Sequence, residues 1–382
     1  MEFITRDIQE KVLDSLAPQK VLVLLGPRRV GKTVMLSQII QKIKEPYLLL
    51  NGEDIAVVEN LSRRSITHYR NLIGDYKLLF IDEAQKIPEI GKILKLMVDE
   101  ISDIKIIVTG SSAFDLDKYT GAPLTGRKKT FYLFPFSENE NSQISDPFSQ
   151  KDNLFERLVF GSYPELIHLN SHEEKTEYLK ELVNSYLLKD ILAFENIRNS
   201  DKILGLLRLI AFQVGSEVSF QELGTQLSLS KNTVEKYLDL LTKVFVLFKL
   251  TGFSRNLRKE VTKSSKWYFL DNGLRNMVIA NMNPIGLRND VGQLWENFII
   301  GERLKYQTNT RMIVNNYFWR TYDQQEIDWV EERAGDLYGY EFKWNPKRNT
   351  TPPRAFIKSY PNARFHVIDQ ENFKDWIKMP NG

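Results

Sequence analysis

Residues 21 to 33, VLVLLGPRRVGKT, constrain the fold more than any other stretch of the chain. Five apolar residues, Val21 to Leu25, read as a buried strand that runs directly into Gly26-Pro27-Arg28-Arg29-Val30-Gly31-Lys32-Thr33, a phosphate-binding loop with both glycines and the Lys-Thr pair in register. Glycine at 26 and 31 lets the loop curl until its backbone N–H groups face phosphate oxygens. Lys32 then serves as a point charge on the β and γ phosphates, and Thr33 offers a hydroxyl to magnesium. A helix starting here turns its positive dipole end toward the same anion, so the loop from Gly26 to Val34 is the expected nucleotide cradle. Met35, Leu36, Ile39, Ile40 and Ile43 recur at helical spacing, while Gln38, Gln41, Lys42 and Lys44 fall on the opposite, wet face.

A chain of 382 residues is long enough for two or three cores, because single cores stop growing at about 250 to 300 residues. Its 52 basic and 49 acidic side chains leave a net charge of only +3, so the global balance argues neither for nor against nucleic acid. Cysteine is absent, which removes disulfides and thiolate metal sites and suits a reducing compartment. No run of about 18 apolar residues occurs, and the charged N-terminus has no long apolar core. The expectation is a soluble, cytoplasmic protein without a membrane partner.

Taken in order, residues 1 to 20 predict a short amphipathic helix closed by Pro18, and Tyr47 to Leu50 a second apolar strand. Lys77-Leu-Leu-Phe-Ile-Asp82-Glu83-Ala-Gln85 is an apolar run ending in two carboxylates. In a nucleotide-binding chain the first, Asp82, is the natural magnesium partner. Glu83 is then placed to orient and deprotonate a water attacking the γ phosphate, which favours a hydrolase over a kinase. Helical spacing returns at Ile90, Ile93, Leu94, Met97 and Ile101. Ile104 to Val108 forms a further strand, ending in Thr109-Gly110-Ser111-Ser112, and one of these hydroxyls is expected to read the γ phosphate or the water. Alternating strands and helices imply an α/β fold with a parallel sheet, whose ligands sit at the carboxyl ends of the strands.

GPRRVGKT, LLFIDEAQ, IIVTGSS, Gly126-Arg127 and the exit segment Phe131 to Ser137 resemble the AAA+ ATPases of prokaryotes that carry a C-terminal domain of unknown function. The resemblance implies that Lys32 and Thr33 are the Walker A pair, Asp82 and Glu83 the Walker B pair, and Ser111 or Thr109 the sensor distinguishing ATP from ADP. Arg127 sits where related ATPases place an arginine finger, in cis or, in a homo-oligomer, across a subunit boundary. Lys128 and Lys129 beside it keep a plain basic turn as the alternative. No Asn-Lys-x-Asp motif is present to select guanine, so the expected ligands are ATP and Mg2+.

From about residue 138 the composition turns to Asn, Ser, Gln and Asp and reads as a surface linker. Residues 141 to 200 then predict a helical joint or lid around the turn Gly161-Ser-Tyr-Pro-Glu165, which members of the resembled family also carry. Residues 201 to 283 have the spacing of a winged helix-turn-helix, with helices over Leu204 to Val214, from Phe220, and after Ser230. Paired strands follow at Phe245 to Leu250 and Trp267 to Leu270. Arg255, Arg258, Lys259, Lys263 and Lys266 against the single Glu260 would suit a phosphate backbone. The exposed Glu235 and Asp239 on the third helix argue against sequence-specific reading, and a protein-docking wing is the alternative.

Residues 284 to 382 bring a second constellation: Glu296 on a helix, Asp328 on a strand, and Glu341-x-Lys343 on a later one. Strand alternation puts Glu341 and Lys343 on the same face. Asp328 with Glu341 and Lys343 resembles the restriction-endonuclease-like metal site, in which two carboxylates hold magnesium beside a lysine, with Glu296 completing the oxygen shell. The resulting expectation is an ATP-hydrolysing AAA+ core over residues 1 to 140 that couples nucleotide state to a winged-helix and nuclease-like module acting on DNA. Its alternative is a nucleotide-dependent switch whose C-terminal region docks a protein partner without cleaving DNA. A small-molecule kinase is disfavoured by Glu83 and by the lack of an evident acceptor pocket.

Overall fold

The computed structural model describes residues 4–111, 124–144, 150–187, 200–253, 265–321, 323–346 and 350–378. It divides into two compact units, Met1–Phe136 and Ser137–Gly382. Ser112, Arg255, Arg258, Lys259, Glu260 and Lys263 lie outside the described residues.

The first unit is an α/β domain on a five-stranded parallel sheet. Its strands are β1 (Val21–Leu25), β2 (Tyr47–Asn51), β3 (Leu78–Asp82), β4 (Lys105–Gly110) and β5 (Lys128–Tyr132), in the order β2-β3-β4-β1-β5. Parallel pairing needs crossovers. They are supplied by α2 (Lys32–Lys42), α3 (Ile55–Ser62), α4 (Ile66–Ile73) and α5 (Ile90–Glu100), after a short α1 (Gln9–Asp14). Val21, Val23, Leu79, Ile81, Ile106 and Val108 share one core with Ile90, Ile93, Leu94 and Met97 of α5. This face repeats every second residue along the strands and every third or fourth along the helix. Placing β4 between β1 and β3 has a direct consequence. The carboxyl ends of β1, β4 and β3 become neighbours, so the loop after Leu25, Thr109 and Asp82 open onto one edge.

The second unit holds a six-stranded mixed sheet in the order β11-β10-β9-β8-β6-β7. Strands β8 (Asn315–Arg320), β9 (Glu326–Arg333) and β10 (Asp336–Phe342) run antiparallel in turn, and β11 (Arg364–Ile368) lies parallel to β10. The two strands expected around Phe245 to Leu250 and Trp267 to Leu270 form as β6 (Leu247–Gly252) and β7 (Ser265–Phe269), paired antiparallel with Leu247 opposite Phe269. They continue into the same sheet, because Thr251 and Gly252 pair in parallel with Tyr317 and Phe318 of β8. Helices Ser200–Phe212, Phe220–Leu227 and Lys231–Lys243 precede the pair at the expected positions.

Two expectations change. The polar stretch from residue 138 is no surface linker: Glu138, Glu140 and Asn141 are buried in a short helix with a Ser137–Glu140 capping box. Ion pairs make this burial tolerable, since Glu138 meets Arg157 at 2.7 Å and Lys374 at 3.6 Å. Lys266, expected on a solvated wing, is 2% exposed. The Gly161-Ser-Tyr-Pro-Glu165 turn is anchored by Asp271. Its carboxylate accepts from Ser162 N at 2.8 Å and caps the helix Asn272–Val278. A Cβ at Gly161, whose φ is +79°, would lie 2.1 Å from that carboxylate.

The helix Val291–Thr310 and β9 are joined by a fully buried ion pair. Arg303 donates to both oxygens of Glu331, at 2.7 and 2.9 Å, and Trp329 and Gln307 also donate to that carboxylate. Burial raises the Glu331 pKa, but Arg303's hydrogen bonds and charge outweigh it and hold the group below the usual glutamate range. Arg303→Leu should therefore cost about 3–5 kcal/mol, because it strands a buried charge. The double variant Arg303→Leu/Glu331→Leu should recover much of that loss. Glu331's contribution is complete above its unfolded value of about 4.3. It should disappear as pH falls through the lower folded value. Denaturant unfolding across acid pH should thus give the double variant a shallower slope than the parent.

Candidate functional site

The loop between β1 and α2 owes its shape to two glycines acting for different reasons. Gly26 sits so close to the exit segment that a Cβ would lie 2.1 Å from the Leu133 carbonyl oxygen, just where Leu133 N donates to Leu25 O at 2.7 Å. Gly31 adopts φ +86° and starts α2, a conformation that disfavours side chains. Arg29 also has positive φ, at 64°, while Val30 is fully buried and Val34 is 46% exposed. Lys32 is 6% exposed, and its ammonium lies across the loop, donating to the carbonyls of Gly26 at 2.8 Å and Pro27 at 2.9 Å.

Opposite stands Asp82, the last residue of β3, 8% exposed. The Thr33 hydroxyl donates to its Oδ2 at 2.7 Å, and the fully buried Thr109 hydroxyl donates to its Oδ1. The Glu83 N–H reaches both Asp82 Oδ1, at 3.1 Å, and Thr109 Oγ1, at 3.2 Å. These bonds hold Glu83 at φ 49°, an uncommon conformation for a residue with a side chain. The Glu83 carboxylate accepts from Gln85 Nε2 at 2.5 Å. Gly52 lies against this turn: its N–H donates to Asp82 O at 2.8 Å, and a Cβ there would be 2.4 Å from Glu83 O. Thr33, Asp82, Glu83 and Thr109 are thus joined by hydrogen bonds, while Lys32 next to Thr33 bonds the carbonyls of its own loop. Thr109 is committed to the Asp82 carboxylate, which leaves Ser111, 3% exposed just past the strand end, as the hydroxyl beyond it. The donor set also fits magnesium, since a hydroxyl and a carboxylate oxygen 2.7 Å apart are hard ligands suited to that ion.

Arg127 lies elsewhere. Its carbonyl accepts from Val21 N at 2.8 Å and Lys128 pairs with Val21, so it sits at the amino edge of the sheet. The length of β1, five residues at about 3.3 Å each, separates it from the loop of its own chain. Its guanidinium pairs with Asp99 of α5.

Sequence reasoning missed Arg6. This side chain is 6% exposed and donates to Val30 O inside the loop at 2.7 Å and to Phe134 O of the exit segment at 2.5 Å, with its guanidinium 4.8 Å from the Phe136 ring. No motif marks it; a lone arginine ahead of the first helix carries no signal of what it will touch.

In the second unit Glu296, Asp328 and Glu341 do share one electrostatic neighbourhood. Burial and the charges of Glu296 and Glu341 push the Asp328 pKa well above the usual range, and burial together with Glu326 and Glu341 raises Glu296 against the pull of Lys266 and Tyr268. Each carboxylate nevertheless answers to the protein. Tyr268 Oη donates to Glu296 at 2.7 Å, Phe342 N to Asp328 at 2.8 Å, and Lys343 Nζ to Glu341 at 2.6 Å. Lys266 bonds Glu326. Among the described residues no group of three or more histidine, aspartate or glutamate side chains is arranged to hold a metal ion. The expected three-carboxylate metal shell is therefore not arranged among the described residues, and one oxygen of each of these acids accepts a bond from the protein. No described helix is long and apolar enough to cross a membrane.

Residues 18–141 match the model of an AAA domain. Residues 151–285 and 291–378 match two domains of unknown function, DUF8612 and DUF4143. An uncharacterized protein of Mycobacterium tuberculosis is 26% identical over 91% of this chain and 74% of its own length. One of Methanocaldococcus jannaschii is 27% identical over 97% of this chain and 84% of its own. Among solved structures, Thermotoga maritima RuvB, a Holliday junction branch migration motor, aligns with a TM-score of 0.33 and 15% identity over 64% of this chain and 90% of that one.

Arg6→Leu should weaken nucleotide binding about tenfold or more, since it removes two charge-assisted bonds of roughly 1.5–3 kcal/mol each from beneath the loop. Calorimetric titration with ATP, beside circular dichroism to confirm folding, would measure it. Unchanged affinity in a folded variant would show that the loop holds its shape without Arg6.

Proposed function

We propose, taking residues 18–141 as an AAA-type ATPase core, that the chain binds and hydrolyses ATP and uses its nucleotide state to switch the second unit. One observation carries the reading: the Asp82 carboxylate is bonded by the hydroxyls of Thr33 and Thr109 with Glu83 fixed beside it. The loop N–H groups and Lys32 would bind the β and γ phosphates, giving up the Gly26 and Pro27 carbonyls for stronger charged partners. Thr33 and Asp82 would hold magnesium, which supplies charge neutralisation on the phosphate oxygens. Glu83 orients the attacking water and accepts its proton, and Gln85 holds that carboxylate in one rotamer until it does so. Ser111 senses the γ phosphate. Arg127, remote from its own loop, acts on the site of an adjacent copy. A cytoplasmic location accords with a supply of ATP.

For the second unit we read a winged helix and a restriction-endonuclease-like fold. The order of helix, three antiparallel strands, helix and parallel strand from Val291 to Ile368 supports it. Action on DNA is the second reading. The basic residues of the wing favour it, while the burial of Lys266 weakens it.

Lys32→Ala should abolish ATP binding, whereas Glu83→Gln should retain it and lower phosphate release by about 10²–10⁴-fold. Wild-type hydrolysis by Glu83→Gln would remove Glu83 as the base. If Arg127 acts between copies, the specific rate should rise with protein concentration, and a mixture of Lys32→Ala and Arg127→Ala chains should regain part of the activity. A flat rate from a species that sediments as a monomer would reject that role. Gel shifts on several DNA forms at stated salt test the second reading.

A further inference from the structure

The outer edge of the second unit's sheet gathers arginine, tyrosine and histidine side chains on one face. Pairing sets Asp336 and Tyr338 of β10 opposite Arg333 and Glu331 of β9, and Tyr338 and Tyr340 opposite Arg364 and His366 of β11. Strand alternation turns all of these residues to the same side. There the Arg333 guanidinium stands 3.7 Å from the centre of the Tyr338 ring, and the Arg364 guanidinium 5.3 Å from it. Arg333 also donates to Tyr340 Oη at 3.2 Å, and the His366 ring stacks on Tyr340 with centres 5.6 Å apart.

Two features set this group apart from an ordinary wet sheet edge. Tyr338 is only 9% exposed, yet its hydroxyl makes no hydrogen bond among the described residues, a costly state for a polar group at that depth. Positive charge is also in excess. Arg364 pairs with no carboxylate among the described residues. Arg333 meets Glu331 at 3.4 Å, but that carboxylate already accepts from two nitrogens of Arg303. With Asp336 counted as well, three guanidiniums share this face with two carboxylates. Burial, with the charges of Arg364 and Arg333, holds His366 below the usual histidine range.

We propose that Tyr338, Arg364, Arg333 and His366 form a receiving site for a phosphate group at this edge. The Tyr338 hydroxyl donates to the anion. Arg364, with no internal bond to break, swings its planar fork to two of the oxygens, a geometry that guanidinium matches well. Arg333 is tied to Tyr340 and Glu331 and contributes fixed charge beside the ring. His366 takes up a proton more readily once the anion offsets the two arginines. The recognised chemistry is a phosphate oxyanion, supplied by a free phosphate compound or by a nucleic-acid backbone. This inference rests on neither the ATPase reading nor the DNA reading.

The test uses the full chain carrying Lys32→Ala, so that the nucleotide loop contributes no phosphate signal. Inorganic phosphate is titrated against sodium chloride of equal ionic strength, and the carbon-13-labelled histidine rings are followed by nuclear magnetic resonance. His366→Asn identifies the His366 signal among the four histidines. Phosphate should move that signal saturably and raise its titration midpoint by about half a pH unit or more beyond the chloride control. Tyr338→Phe and Arg364→Gln should each weaken the response by about fivefold or more, and Arg364→Lys by less. A DNA oligonucleotide that saturates the same response at lower concentration would support the proposal with the backbone as the source. A response to phosphate with none to the oligonucleotide would support it with a free phosphate compound as the source. No response beyond that of chloride to either probe would overturn the proposal. So would a response that persists unchanged in folded Tyr338→Phe and Arg364→Gln chains. Should a variant not fold, the parent titration against chloride decides alone.

Discussion

Asp82 is a carboxylate at the end of a buried strand, and the first unit is arranged so that both of its oxygens are hydrogen-bonded there. An acid in that position needs partners on both oxygens. Thr33 supplies one from the start of α2, and Thr109 the other from β4. Both are available only because the sheet order inserts β4 between β1 and β3. The unusual backbone of Glu83 follows from the same point, since its N–H completes the cluster. The strand order, the loop and the turn thus all meet at one buried carboxylate.

The elements that formed this site were legible because each is a local pattern. Val21 to Leu25, Leu78 to Asp82 and Lys105 to Gly110 are apolar runs bounded by turn residues, and the loop's spelling reflects its own backbone needs. What stayed hidden depends on partners remote in sequence. Gly26 reads as a loop glycine, yet the space it clears is for Leu133. Glu138 and Lys266 read as wet because composition reports polarity and not the charge waiting across the fold. Arg127 stands in the expected place in sequence, while the register of β5 with β1 sets it at the far edge of the sheet.

The second unit extends this dependence on paired charge. Its longest described helix, Val291–Thr310, buries Asn297, Glu302, Arg303, Lys305 and Gln307, so it lacks the clean apolar stripe that makes a helix easy to recognise. Asn297 bridges both backbone groups of Phe269, Lys305 bonds Glu302 at 2.7 Å, and Arg303 grips Glu331. Interactions of this kind add little net stability, but a misplaced register would leave every one of them unsatisfied.

The seam between β6 and β8 joins strands that the domain matches assign to different modules. A gene fragment cut between residues 285 and 291 would separate those strands and leave the Tyr317 and Phe318 end of β8 paired with β9 alone. Phe253, which packs with Trp319, Ile327 and Phe356 in the core behind that edge, would go with the other fragment. Such a piece would carry an open strand beside an exposed aromatic cluster, the surface that promotes self-association in expression hosts. The two modules share one sheet and are accordingly to be expressed together.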